Sequence, residues 1–248
     1  MYELKICHLY PDLLNTYGDM GNILALKRRA QWRGLDVSVT NVTIGDSFDS
    51  ADFDMVFLGG GQDYEQEIIQ KDVLTQKGTE IKNAVEGNKV FLCICGGYQL
   101  MGKYYKTWDG KELEYLGALD LWTVGGKERM IGNIVFQSEA IMEDGCPLKI
   151  VGFENHSGRT YLGEGVSPLG KVLYGNGNNG TDGFEGAVYK NVYCSYSHGS
   201  LLPKNPLLAD HLISLALRQK YSDFKTLSSL EDAFENAART TMIQRILK

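Results

Sequence analysis

The segment Phe91-Leu92-Cys93-Ile94-Cys95-Gly96-Gly97-Tyr98-Gln99 decides the fold of this 248-residue chain. An apolar strand, read over 89–94, runs into a cysteine and two glycines, and a helix is predicted over 98–105. That order is a nucleophile elbow with cysteine as the reactive side chain. Glycine after the nucleophile permits the sharp turn. A helix N-terminus stabilises a thiolate, and the Gly96 N–H can point at a developing oxyanion. A buried cysteine followed by a glycine turn has the same local pattern, so the rest of the chain must decide.

The flanking pattern is α/β. Residues 4–10 read as a first strand stopped by Pro11, 21–33 as a helix ended by Gly34, and 35–42 as a second strand. Met55-Val56-Phe57-Leu58 is a short, wholly apolar run ending in Gly59-Gly60-Gly61, as a buried central strand would. A helix follows over 68–86. The alternation predicts an open, mostly parallel α/β sheet flanked by helices, with ligands beyond the carboxyl ends of its strands. Both glycine clusters sit at such ends.

From 113 to 199 the pattern changes to many glycines and short candidate strands, at 133–136, 149–153, 186–189 and 192–196. The run 175–183 reads as a turn or exposed loop. Asn205 and Pro206 suit a helix start, with the helix running to 217, and 228–247 is a further amphipathic stretch. With no linker or repeat, residues 1–248 are read as one domain whose C-terminal helices occupy about 205–248.

Composition narrows the class. The net charge of −6 disfavours a nucleic-acid binder. The N-terminus lacks the basic-then-apolar pattern of a signal peptide, and no apolar run is long enough to span a membrane. Five cysteines, without zinc-knuckle spacing, fit a reduced cytoplasm. No phosphate-binding P-loop is present.

A thiolate nucleophile needs a base. Of four histidines, His8 falls in the first strand and His211 inside an apolar helix, which suits structural roles. His156 is read in a polar loop after a strand, and His198 directly follows one. Both can reach a pocket. His198 is the better placed, since its strand can lie beside that of Cys95, but His156 stays open on the residues alone.

Cys95-Gly96-Gly97-Tyr98-Gln99 closely resembles the nucleophile motif of class I glutamine amidotransferases. The segment 10–22, Gly59-Gly60-Gly61-Gln62-Asp63, Gly152-Phe153-Glu154-Asn155-His156 and His198-Gly199-Ser200-Leu201-Leu202-Pro203 resemble the cobyric-acid-synthase-like branch. The resemblance spans residues 4 to about 210, and narrows to glutaminase subunits that serve lipid II amidation. It implies Cys95 as nucleophile, His198 as general base, and Gly61 and Gly96 as oxyanion-hole donors, with Gly60 able to replace Gly61. In Gly125-Gly126-Lys127-Glu128-Arg129 it places Arg129 on the substrate α-carboxylate, for which a fork of donors is suited.

Two positions depart from the class. Cys93 stands where glycine is usual before the nucleophile, and Ser200 where a triad glutamate follows the histidine. The resemblance therefore implies a Cys–His dyad, with any orienting group coming from elsewhere. It also implies that the ammonia goes to a Mur-ligase-like partner in a heterodimer. That partner, not this chain, would hold ATP and Mg, since 248 residues accommodate a glutaminase without a synthetase. Ammonia feeding another, corrinoid-like carboxylate amidation and a non-catalytic scaffold on the same fold are the alternatives.

Overall fold

A computed structural model describes residues 1–248, the side chain of Glu139 excepted. The first part is the expected alternation. Strand β1 (Glu3–Leu9) leads into helix α1 (Met20–Gln31), then β2 (Asp36–Val42) and β3 (Met55–Leu58). Helices α2 (Asp63–Asp72) and α3 (Gly78–Glu86) follow, then β4 (Val90–Ile94) and the short α4 (Gly96–Leu100). A π-helical turn over Val73–Lys77 separates α2 from α3, so the continuous helix expected over 68–86 is two helices. The helix expected over 98–105 ends at Leu100.

The second part holds β5 (Tyr104–Lys106), β6 (Glu112–Glu114), β7 (Leu121–Glu143), β8 (Cys146–Leu162), β9 (Gly170–Tyr174), β10 (Phe184–Glu185), β11 (Ala187–Tyr189), β12 (Val192–Ser195) and β13 (Ser197–His198). Helices α5 (Leu201–Lys204), α6 (Pro206–Lys220) and α7 (Ala233–Ile246) close the chain.

Two sheets result. The first has the order β11-β12-β4-β3-β1-β2 and is parallel except for the β11–β12 pair. Every residue of β3 and β4 is buried, as their unbroken apolar runs require. The second sheet, which the mostly parallel reading did not anticipate, is seven-stranded and largely antiparallel. Its spine is the long β7–β8 hairpin, into which the candidate strands at 133–136 and 149–153 merge. Short apolar runs divided by glycine look like separate strands in sequence, because glycine breaks the pattern without breaking the ladder.

Three further expectations change. The 175–183 segment is anchored, with Asn178 and Asn179 buried. The Glu154 carboxylate accepts from the Asn176 and Gly177 N–H groups at 2.8 and 2.9 Å, and the Asn178 side chain bonds both N–H and C=O of Gly186. Asn205 precedes α6 without a side-chain cap. Its amide instead bridges Val151 N–H and C=O and the Leu201 carbonyl. In the last stretch the helix starts only at Ala233, and Arg239 is its one buried residue among those described. No helix among the described residues is long and apolar enough to cross a membrane.

Candidate active site

At the C-terminal end of β4, Cys95 adopts φ 50° and ψ −101°, a left-handed conformation for a residue with a Cβ. Such strain costs about 1–3 kcal/mol and persists only where the surroundings enforce it. Here they do. The Cys95 N–H donates to the Ser195 carbonyl of β12 at 2.8 Å, and α4 starts at once behind it. Cys95 lines a cavity of about 320 Å³, together with Tyr17, Gly61, Asp63, Gln99, Arg129 and His156 among others.

The glycine loops meet under Cys95. A Cβ on Gly96 would lie 2.8 Å from the Gly61 nitrogen, so only glycine lets these two backbones touch. Neither the Gly61 nor the Gly96 N–H donates to any group among the described residues. The Gly60 N–H is different: it donates to Asp19 Oδ2 at 2.6 Å. That commits Gly60 and leaves Gly61 as the loop donor available to a ligand.

Behind the loop, Gln66 Nε2 donates to the Gly61 carbonyl at 3.3 Å and to Gln99 Oε1 at 2.9 Å, and Tyr115 donates to Gln66 Oε1 at 2.9 Å. Gln99 in turn donates to the Tyr196 hydroxyl at 3.1 Å. This buried chain ties the glycine loop to the elbow helix, and satisfied buried networks of this kind rigidify what they hold.

His198 is fully buried beside Cys95. Strand β12 lies parallel to β4 as expected, but His198 belongs to the next short strand, β13, which pairs with β8. The chain thus crosses from one sheet to the other between Ser195 and Ser197. A Cβ on Gly60 would come within 2.5 Å of the His198 ring and 3.4 Å of the Cys95 Cβ, so both pack over that glycine. His198 Nδ1 lies 3.4 Å from Asp19 Oδ1, and Nε2 is the nitrogen left for Cys95. Tyr17 meets the ring edge-on with centroids 5.1 Å apart.

Burial alone would push the His198 imidazolium toward neutrality. The Cys95 charge and the Asp19 carboxylate outweigh it and raise the pKa to about 10. The site therefore favours an imidazolium at His198, faced by a carboxylate and packed against Cys95.

Asp19 is the residue that the sequence pattern missed. It lies beyond β1 in the segment 10–22, fully buried, and that segment wraps the glycine loop through a Thr16 N–H to Gly60 carbonyl bond of 3.0 Å. No spacing rule links position 19 to 198. The available signal was an acidic residue in a glycine- and asparagine-rich segment at the carboxyl end of a parallel strand.

His156 is not in a loop but mid-strand in β8, where it is buried and stacked on Tyr196 with centroids 3.6 Å apart. Its Nδ1 is engaged by the Gly158 carbonyl at 2.7 Å, and burial lowers its pKa. It forms part of the cavity wall, whereas His198 packs with Cys95. His8 packs near Phe57, and burial lowers its pKa to about 4; His211 pairs with the Tyr193 hydroxyl at 2.7 Å. Cys93 is buried opposite Cys194 in the β4–β12 register, where the sheet accommodates its side chain.

Arg129 reaches the cavity through a bulge. Gly125 pairs with Gly158 and Met130 with His156, so residues 126–129 loop out of β7 opposite Ser157. The guanidinium is held by Asn155, through Nε to Oδ1 at 2.9 Å and Nη2 to the carbonyl at 3.0 Å. Nη1 donates to no group among the described residues. Among the described residues, no three His, Cys, Asp or Glu side chains converge as metal ligands would.

A cysteine elbow, a histidine faced by a carboxylate and two unpartnered backbone N–H groups are an arrangement suited to acyl transfer at a carbonyl. The CobB/CobQ-like glutamine amidotransferase domain family matches residues 5–206. The chain belongs to this family. It is 46% identical to the lipid II isoglutaminyl synthase (glutamine-hydrolyzing) subunit GatD of Streptococcus pneumoniae, over 93% of this chain and 87% of that one. It is 43% identical to the subunit of the same name from Staphylococcus aureus, over 99% and 97%. Among solved structures, that of PurLQS from Thermotoga maritima covers 88% of this amidotransferase with a TM-score of 0.62 at 17% identity, a likeness of fold.

Proposed function

We propose that this amidotransferase is the glutaminase subunit of a lipid II amidating complex. It hydrolyses L-glutamine and passes ammonia to a Mur-ligase-like, ATP-using partner, which amidates the D-glutamate α-carboxylate of lipid II. The observation that carries the chemistry is the packing of Cys95 and His198 over Gly60, with Asp19 accepting from the Gly60 N–H and lying 3.4 Å from His198 Nδ1.

The Cys95 thiolate attacks the glutamine side-chain carbonyl carbon. The N–H groups of Gly61 and Gly96 take the oxyanion. His198 gives its Nε2 proton to the leaving amine, and ammonia departs. In the resulting thioester Cys95 no longer carries charge, so the influence that raised the His198 pKa is reduced. Neutral His198 can then take a proton from water, whose oxygen attacks the thioester. Glutamate leaves, and the thiolate–imidazolium pair is restored. Arg129 Nη1 binds the glutamine α-carboxylate.

The test is glutamate release and ATP-dependent lipid II amidation by the complex. Cys95→Ala and His198→Ala are expected to cut glutamate release at least about 1,000-fold. An ammonium salt should restore amidation by both variant complexes. Undiminished glutamate release by Cys95→Ala contradicts the reading.

A further inference from the structure

Asp63 stands in the wall of the Cys95 cavity together with Arg129. It is the first residue of α2, directly after the glycine loop and Gln62, so the loop that offers the Gly61 N–H also sets its position. One carboxylate oxygen, Oδ2, accepts from the Tyr105 hydroxyl at 3.2 Å. The other, Oδ1, accepts from no group among the described residues. Tyr105 thus holds the carboxylate by one oxygen and leaves the other to a ligand. The cavity therefore offers an anion and a cation to the same guest, with Cys95 in the same lining.

Resting on the glutaminase reading above, we propose that Asp63 binds the substrate α-ammonium, opposite the α-carboxylate on Arg129, so that the cavity selects an α-amino acid rather than any carboxamide. A zwitterionic head group matches this pair of charges, and each charge-assisted contact fixes the head group. Holding both charges fixes the reach of the side chain toward Cys95, which a single contact would leave free to swing. Asp63 and Arg129 are not within ion-pair distance of each other among the described residues, and each bonds to neutral groups, Tyr105 and Asn155. Burial raises the Asp63 pKa and the nearby Arg129 charge opposes that, but the two form no ion pair, so each keeps an atom for a ligand.

The experiment compares glutamine with 4-carbamoylbutanoate, which lacks only the α-amino group, on wild type and Asp63→Asn in the intact complex. Asparagine keeps an acceptor for Tyr105 and loses the charge. The KM for glutamine is expected to rise about 10- to 100-fold, with kcat changed far less. The weak hydrolysis of 4-carbamoylbutanoate should be the same in both proteins. Equal losses on both substrates would mean that Asp63 acts through Arg129 or the fold, and an unchanged glutamine KM would mean that it makes no contact. Either outcome overturns the assignment while leaving the glutaminase reading intact. Absence of Cys95-dependent glutamate release from the wild-type complex overturns both.

Discussion

The two sheets contribute to one cavity by opposite means. The parallel sheet works from its strand ends: Asp19 follows β1, Gly61 follows β3 and Cys95 follows β4. Its central strands β3 and β4 are short and wholly buried, so there the chain can reach the cavity only where it leaves them. The antiparallel sheet works from the middle of long strands. Arg129 leaves β7 through a bulge, and Asn155 and His156 stand within β8, beside Ser157, which faces that bulge. His198 sits where the chain passes between the two, buried in β13 and pressed against groups from the parallel sheet. By this division Cys95 takes its strained conformation from a strand end, and Arg129 takes its reach from a bulge within a strand.

If that division is right, substitutions in the two sheets separate in kinetics. Asp19→Asn keeps the shape and removes the charge on His198. It should lower kcat about 10- to 100-fold with little change in KM, and move the alkaline limb of the kcat profile downward in pH. A kcat loss with an unmoved limb would reduce Asp19 to a brace for Gly60. On the other sheet, Arg129→Lys should raise the glutamine KM about tenfold with kcat nearly kept, because lysine cannot hold Asn155 and a carboxylate at once. A pure kcat loss there would erase the distinction.

The smallest effect concerns stability. The His198 pKa is raised from 6.5 to about 10 in the folded chain. Its protonation therefore stabilises the fold fully below pH 6.5, and that contribution is lost as pH rises toward 10. Thermal unfolding of wild type should decline over this window more steeply than that of His198→Gln. Parallel curves would contradict a raised His198.

Legibility follows the same division. The elbow could be read because an apolar run ending in Cys-Gly-Gly leaves the chain few ways to turn. The Gly59-Gly60-Gly61 loop was readable for the same reason. Asp19 was not, since its partner is 179 residues away in number, as 19 and 198 show, and only folding brings them together. The 175–183 run reads as a loop because its residues are polar. The Glu154 carboxylate and the backbone of Gly186 satisfy those groups internally, which no local pattern reveals.

The sequence by itself determined the parallel sheet, its order of strands and helices, and the strand ends where chemistry can occur, because burial and glycine turns act locally. The tertiary structure decided which histidine meets Cys95, which glycine N–H stays free and which carboxylate faces the imidazole. Those depend on register between strands far apart in the chain, and a one-residue shift turns each side chain to the other face.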